Sequence, residues 1–256
     1  MRKLAYILVS LVLFSCGKSN QENSESEENT QLRRENELVI TADGDSLEDG
    51  YWKYNDEVSG LSKEGKYRVG VKTGEWKYKI FNKEKTVEWM YFDKQRVKFN
   101  YPKYLEISNA IEYPTLFIGD IIDSNNKTYI ALLEYDLKDM NSSVYDYLYQ
   151  VNEAFTSDTS KIIKGKSFRK YIFKNIELFT VNIQLEQDGE TYNIMSQVFE
   201  INGYLYDFTY KDIAKRMSIV NLEIFKDMLY SMESNGVDLF TYNTGQYLQD
   251  EDVVFE

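Results

Sequence analysis

The sequence GYWKY at residues 50–54 returns 24 positions later as GEWKY at residues 74–78. A second match joins EGKY at residues 64–67 to EWMY at residues 88–91. Repeating units of glycine and aromatic residues of this size are typical of successive β-hairpins. In such units glycine supplies the turns and aromatic rings pack between neighbouring strands. We therefore predict a small β-hairpin repeat array over residues 43–96.

These units resemble the bacterial variant of the MORN repeat, whose pattern is G-x-W-x-Y followed by G-x-Y-x-x-G. MORN arrays are associated with membrane and protein contacts, and the resemblance brings no defined ligand site. The candidate contact residues for a ligand or partner are Trp52, Tyr67 and Trp76, as Trp and Tyr side chains that we expect to be exposed. Two repeats are too few to bury their own apolar faces, so we expect the array to pack against the following domain or a partner.

The repeat region is basic, although the whole chain is acidic. Residues 50–98 hold 12 Lys and Arg against 7 Asp and Glu, in a chain whose net charge is −12. One interpretation is that this basic module rests against anionic lipid headgroups. The simpler interpretation, which we adopt, is that charged and aromatic residues alternate because they occupy the exposed and buried faces of the hairpins.

Residues 97–236 show longer strand patterns and two helix patterns. Ser143 and Asp146 fit a capping box, and apolar residues follow at helical spacing from Val144 to Phe155. A second apolar stripe predicts a helix over residues 219–232. The predicted strands cover residues 116–122, 128–135, 161–166, 169–175 with a continuation towards 185, 191–201 and 204–210.

Short turn signals separate these elements. Asp188-Gly189 and Asn202-Gly203 stand where tight hairpin turns are needed. Asn235-Gly236 supplies a stop for the second helix. The order strands, helix, strands, helix predicts an α+β fold, in which the hairpin array is followed by an antiparallel sheet with two helices on one face.

The motif Y-P-K-x-x-x-I at residues 101–107, the order of elements and the final helix resemble the PsbP-like fold, which bacterial DcrB-type lipoproteins share. Proteins of this kind are mostly assembly or accessory factors. The resemblance implies such a role for residues 97–236, and it carries over no catalytic set.

The N-terminus has the form of a bacterial lipoprotein signal. Arg2-Lys3 precedes an apolar run over residues 4–14, which is too short for a membrane-spanning helix. The run ends in Leu-Phe-Ser-Cys, which resembles the lipobox. The resemblance implies that residues 1–15 are removed and that Cys16 carries a lipid anchor in the cell envelope, on the outer membrane, facing either the periplasm or the cell surface. The alternative is a secretory signal with a chance cysteine.

Polar segments flank the predicted folded parts. Residues 16–42 are rich in Glu, Ser and Asn, and they hold too few apolar residues to offset the entropy cost of ordering. We predict a disordered tether there. Residues 237–256 contain the acidic run at 250–252 and are predicted to form a solvated C-terminal tail.

The composition excludes several kinds of site. The chain has no His and a single Cys, which excludes His-dependent triads, His or thiolate zinc sites and internal disulfides. We find no G-x-S-x-G motif, P-loop or dinucleotide fingerprint. We therefore predict a protein that is not an enzyme and has no catalytic residues, metal site or cofactor. The acidic charge and the export signal oppose nucleic-acid binding.

One aromatic stripe has two interpretations. Alternating aromatic residues from Tyr204 to Tyr210 share one face of a strand. In the interpretation that we prefer, these side chains form core beneath the helices. In the other interpretation, they are exposed and stack on sugar rings.

The leading functional hypothesis is a lipid-anchored accessory protein that contacts another envelope protein. The alternative is a surface glycan-binding lipoprotein of a polysaccharide uptake system.

Overall fold

The computed structural model describes residues within the unit that spans residues 34–256. The described residues are 37–40, 46–57, 59–81, 83–93, 96–108, 112–120, 129–173, 175–214, 219–240 and 251–252. The predicted signal peptide, Cys16 and most of the predicted tether lie outside them.

The described residues form two antiparallel sheets and three helices. The strands are β1 Glu37–Ile40, β2 Ser46–Asp56, β3 Leu61–Arg68, β4 Val71–Ile80, β5 Lys83–Phe92, β6 Val97–Pro102, β7 Glu106–Ile107, β8 Thr115–Asp120, β9 Tyr129–Asp136, β10 Ile162–Phe173, β11 Ile176–Gln187, β12 Glu190–Ile201, β13 Tyr204–Ile213, β14 Glu233–Ser234, β15 Val237–Asp238 and β16 Glu251–Asp252. The helices are α1 Leu137–Met140, α2 Val144–Ser157 and α3 Ile219–Tyr230.

The first sheet contains the predicted hairpins, in the order β1-β2-β3-β4-β5-β6-β14-β15. Consecutive strands from β2 to β5 pair antiparallel, as the repeat predicts. Trp52 pairs with Gly65, and the ring of Trp76 lies directly over this glycine. A Cβ added at Gly65 would lie 2.4 Å from the nearest Trp76 ring atom. The close approach of an aromatic ring therefore explains the glycine in this strand.

The second sheet has the order β16-β10-β11-β12-β13-β9-β8-β7. The two predicted tight turns join its longest strands. Asp188-Gly189 connects β11 to β12, and Asn202-Gly203 connects β12 to β13, all four residues having positive φ. A two-residue turn with both φ values positive matches the right-handed twist of the strands that it joins.

The helices lie on opposite faces of the second sheet, so the prediction that both cover one face is wrong. Val144 and Leu148 of α2 belong to a cluster that includes Leu205 of β13. Phe225 of α3 stacks on Phe208 of the same strand, with ring centroids 4.6 Å apart. Leu205 and Phe208 point to opposite faces because side chains alternate along a strand. β13 is thus buried on both sides.

The first sheet extends beyond the predicted boundary at residue 97. β6 pairs with β5, and β14 pairs with β6, so the repeat region and the end of the chain share one sheet. Asn235-Gly236 forms the turn between β14 and β15 and does not cap the helix. Leu239 and Phe240, which we predicted to belong to a solvated tail, are buried. Their apolar side chains fill the space between this sheet and the rest of the core.

Three further elements differ from the sequence predictions. β1 lies within the predicted tether and pairs with β2, since its residues Leu38 to Ile40 are apolar enough to add to a sheet edge. The strands predicted at 161–166 and 169–175 form one strand, β10, with an irregularity between Ile163 and Gly165. β16, within the predicted tail, pairs with β10.

The predicted helices are present. At the start of α2, Asp146 N–H donates to Ser143 Oγ at 3.2 Å, and Ser143 N–H donates to Asp146 Oδ2 at 2.8 Å. This is the predicted capping box. α3 ends at Tyr230, slightly before the predicted end. Within the described ranges, no helix has the length and apolar character needed to cross a membrane.

Candidate functional site

Four charged side chains are buried where α3 lies against the first sheet. Lys63 Nζ is 2.6 Å from Glu223 Oε1 and 2.9 Å from Asp227 Oδ1. Lys72 Nζ contacts Asp227 Oδ2. The lysines belong to neighbouring strands, β3 and β4, and the acids lie one helical turn apart on α3. We call this charge-balanced group, Lys63, Lys72, Glu223 and Asp227, the ionic quartet.

The carboxylate of Asp227 stands at the centre of the quartet. Besides its two lysine contacts, it accepts a hydrogen bond from Tyr78 OH at 2.5 Å. Burial favours the neutral acid, but Lys63 and Lys72 hold the pKa of Asp227 at about 2. Burial and the negative charge of Asp227 raise the pKa of Tyr78. Asp227 is therefore ionised and Tyr78 neutral at physiological pH.

Aromatic rings enclose the amine of Lys72. Its Nζ lies 4.1 Å from a ring centroid of Trp76, 5.4 Å from that of Tyr78 and 5.5 Å from that of Trp89. A cation over aromatic faces gains from the ring quadrupoles. Burial nevertheless lowers the pKa of Lys72 to about 7. Lys72 is only 8% exposed, so its amine is not placed to contact a substrate. The amine instead holds α3 against the sheet through its contact with Asp227.

The face of the first sheet that carries the quartet lysines also carries Trp52, Tyr54 and Tyr67. Lys63 Nζ is 5.4 Å from the ring centroid of Tyr54, and Lys72 Nζ is 6.0 Å from that of Tyr67. Tyr67 meets Trp76 edge to face at a centroid distance of 4.8 Å, and Trp52 stacks on Tyr54 at 5.9 Å. Of the three predicted contact residues, Trp52 and Tyr67 are half-buried. Trp76 is 0% exposed. The structure therefore assigns Trp76 to the core, because its ring is needed to cover Gly65 and Lys72.

The exposed end of the aromatic residues adjoins β1. Leu38 and Ile40 are 55% and 71% exposed. Leu38 pairs with Glu48, whose Oε1 lies 3.4 Å from Tyr54 OH. Leu38 and Ile40 are thus exposed on β1, and Trp52 and Tyr54 lie farther along the neighbouring strand β2. We call these four side chains at the sheet edge the β1 surface.

The outer face of the first sheet is covered by exposed charges. Lys53 Nζ lies 3.5 Å from Glu64 Oε2, and Lys103 Nζ lies 2.8 Å from Glu88 Oε2. Exposed pairs of this kind contribute little to stability because water and salt screen them. This face shows the alternation of exposed charge and buried aromatic residues that the repeat predicts.

The aromatic stripe on β13 belongs to the core. Tyr206, Phe208 and Tyr210 are all buried. Phe208 and Tyr210 stack on Phe225 of α3, with centroid distances of 4.6 and 5.5 Å. Tyr204, at the end of the stripe, is half-buried. The preferred interpretation of these residues as core is therefore confirmed, and the stripe offers no platform for sugar stacking.

Sequence reasoning missed the ionic quartet. Glu223 and Asp227 each directly precede a residue of the apolar stripe, so both acids lie at the border of the buried helix face. Acids in that position require partners, and this was the available signal. Their lysine partners could not be identified because they lie 160 and 155 residues away along the chain.

Two other predicted features concern metal binding and lipidation. In the part of the chain that the structure describes, no group of three or more Asp, Glu or Cys side chains is arranged to hold a metal ion. Cys16 lies outside the described residues, and its lipidation stays a prediction.

No protein-family model matches the chain, and no curated protein matches it either. Among solved structures, it is similar to the solution structure of cyanobacterial PsbP (CyanoP) from Synechocystis sp. PCC 6803. The sequence identity is 13% and the TM-score 0.42, and the similarity covers 57% of this chain and 92% of that chain.

Proposed function

We propose that this protein is a lipid-anchored, non-enzymatic accessory protein of the bacterial cell envelope that binds another envelope protein. The observation that carries the proposal is the β1 surface. Leu38 and Ile40 are exposed on the edge strand β1, and the half-buried rings of Trp52 and Tyr54 lie on the neighbouring strand β2. Large apolar side chains grouped at the edge of a sheet are typical of sites that contact other proteins.

We also infer that the first sheet is of the MORN type and that the second sheet, with α2 and α3, is of the PsbP type. The register of Trp52 against Gly65, with Trp76 stacked over the same glycine, supports the first assignment. The order of strands and helices supports the second. Neither family pattern carries catalytic residues to this chain, so the proposal includes no reaction.

The proposed anchor is Cys16. Each buried methylene of an acyl chain contributes ~0.8 kcal/mol, so two or three chains hold a protein firmly on a membrane. The test is metabolic labelling with an alkyne fatty acid, in cells that express the wild-type chain or Cys16→Ser. Label in the wild type alone supports the anchor. Equal labelling of both proteins, or no labelling of the wild type, contradicts it.

Partner binding is tested by placing a photo-crosslinking amino acid at Ile40 in the full chain, in intact cells. The matched control carries the same amino acid at Thr86, an exposed position in β5. We expect one discrete protein adduct from Ile40, weakened by Trp52→Ala, and none from Thr86. No adduct at Ile40, or the same adducts from both positions, contradicts the proposal.

The second candidate function is glycan binding by a surface lipoprotein of a polysaccharide uptake system. The buried stripe on β13 does not support it. One other observation favours it: an open groove across β10, β11 and β12 whose central side chains are uncharged and polar.

A further inference from the structure

The groove has a volume of about 300 Å³ and lies across the middle of the second sheet. Cross-strand pairing arranges its side chains in two rows on one face. The rows are Ser167, Asn182 and Met195, followed by Gly165, Gln184 and Asn193. The rows occupy the face that α3 covers farther along the strands, because Asn182 and Leu178 are an even number of residues apart on β11.

Along β11 and β12 this face changes from apolar to uncharged polar. Leu178 pairs with Phe199, and both are buried in the core beside α3. The next row holds Thr180 and Gln197, which are buried and hydrogen bonded at 2.8 Å. Beyond that row the groove begins, and its side chains are half-buried or exposed. The polar groups thus become accessible where the covering elements end.

The groove presents hydrogen-bond donors and acceptors together. Gln184 Nε2 donates to Asn193 Oδ1 at 2.9 Å, and Asn182 Nδ2 donates to Ser167 Oγ at 3.4 Å. A carboxamide has two N–H donors and an oxygen with two lone pairs, so Asn182 and Gln184 can form further hydrogen bonds with a ligand. Met195 adds an apolar contact between the amides.

The central side chains of the groove are uncharged. Lys166 lines it, but this residue pairs with Ile183, whose side chain faces α2, and Lys166 Nζ donates to Asn152 Oδ1 at 2.7 Å on that side. The outer face of the first sheet shows what a solvated sheet face of this chain is like: it carries ion pairs such as Lys53 with Glu64. Glu186, which pairs with Lys164 at 3.0 Å, is the next residue after Gln184 on this face of β11. The amides of the groove therefore form an uncharged patch within a face that carries charge beyond it.

Gly165 adds open space to the groove. It lies at the irregularity in β10, and a Cβ added there would meet no atom within 4 Å. No neighbour demands a glycine at this position, in contrast to Gly65 under Trp76. Its missing side chain leaves open space beside Gln184, with which it pairs.

We propose that this groove is a binding site for an uncharged saccharide. Sugar hydroxyls would exchange hydrogen bonds with Asn182 and Gln184, and a C–H face of the ring would lie on Met195. The inference rests on the second candidate function and is independent of the β1 surface. An amide-lined site favours neutral polyhydroxyl ligands, because carboxamides exchange hydrogen bonds with hydroxyl groups and carry no net charge.

The test uses the full chain, purified in a detergent without a sugar headgroup, and titration calorimetry with neutral hexasaccharides. The probes are α-1,4-, β-1,4- and β-1,3-glucan, β-1,4-xylan and α-mannan oligomers. We expect at least one of them to bind below ~10 mM. Asn182→Ala combined with Gln184→Ala should weaken that binding about tenfold. Gly165→Leu should abolish it with little change in the melting temperature, because the added side chain enters open space.

Asn55→Ala, an exposed amide variant on β2, is the control and should bind like the wild type. Failure of every probe overturns the proposal, as does binding that the groove variants leave unchanged. A protein adduct from a crosslinker at Gln184, absent from Asn55, would make the groove a protein contact and also overturn it. The adduct at Ile40 should persist in Gly165→Leu, so loss of partner binding and loss of saccharide binding are separate outcomes.

Discussion

The two longer helices differ in their contacts with the sheets. α2 packs Val144 and Leu148 against the second sheet, and its Tyr145 meets Phe179 edge to face at 5.2 Å. On the opposite face of that sheet, Phe225 of α3 stacks on Phe208 at 4.6 Å. α3 also contacts the first sheet through the ionic quartet. A buried group of four charges thus adds to the apolar packing of α3.

The difference follows from how far apart in sequence the contacting elements are. α2 covers strands through shape and apolar area, which tolerate small shifts. The quartet requires lysines on two neighbouring strands to meet two acids one helical turn apart, so only one position of α3 satisfies all four charges. We expect the quartet to set the position of α3 more than to add net stability, since burying charge costs desolvation energy.

The largest effect is expected from Asp227→Ala. Removal of this carboxylate leaves Lys72 and Lys63 buried with too little negative charge, which should lower the free energy of unfolding by about 3–5 kcal/mol. Urea denaturation measures it, with the exposed Asp139→Ala as control. A loss below ~1 kcal/mol would show that the quartet is not a fixed part of the interface. The double variant Lys72→Met with Asp227→Leu should recover much of the loss, because an apolar pair needs no charge balance.

The other face should respond to loss of apolar volume. Leu148 is fully buried in α2, and Leu148→Ala should lower the free energy of unfolding by about 3 kcal/mol through lost burial and a cavity. Hydrogen exchange should show faster opening of α2 than of α3. Equal acceleration in both helices would contradict the idea that the two faces are held separately.

A matched pair of glycines compares the two sheets directly. Gly65 and Gly165 both lie at strand irregularities, but only Gly65 has a ring against it. Gly65→Ala should cost about 1–3 kcal/mol, because the buried Trp76 must shift. Gly165→Ala should change the free energy of unfolding by less than ~0.5 kcal/mol. Thermal unfolding of both variants measures the two losses of stability. Similar losses in Gly65→Ala and Gly165→Ala would contradict the stacking of Trp76 on Gly65.

The last comparison concerns pH. Burial lowers the pKa of Lys72 to about 7 in the folded protein, against the ordinary lysine value of 10.5. Between these values the unfolded chain holds more protons, so this group should make the fold more stable as pH rises from about 7 to 9, by at most about 1.4 kcal/mol per pH unit. Lys72→Met should remove that slope in urea titrations. An unchanged slope would assign the dependence to another group.

Asp227 should affect stability at acidic pH, whereas Lys72 acts above pH 7. In the folded protein the pKa of Asp227 is about 2, below the ordinary aspartate value of 3.8. The stability that it provides is therefore present above about pH 4 and is lost as pH falls towards 2. Acid titration of the wild type against the double variant Lys72→Met with Asp227→Leu separates this effect from that of other carboxylates.

Local patterns predicted much of the fold and little of the candidate site. The hairpins, the turns at Asp188-Gly189 and Asn202-Gly203, and the capping box of α2 each depend on neighbours a few residues apart. Trp76 shows the limit of such patterns: its repeat position marks an aromatic side chain, and only the packed sheet shows that the ring is buried. Trp52, at the equivalent position of the other copy, is partly exposed.

The sequence by itself determined the hairpin array, the strand and helix content, and the absence of chemistry that needs His or several Cys residues. Those properties depend on residue types and on hydrogen bonds between near neighbours. Tertiary structure alone decided that the helices lie on opposite faces, that Lys63 and Lys72 meet Glu223 and Asp227, and that a sheet face emerges from the core as an uncharged groove. Each of these depends on which distant surfaces become buried together, because desolvation and charge balance act only after the elements have packed.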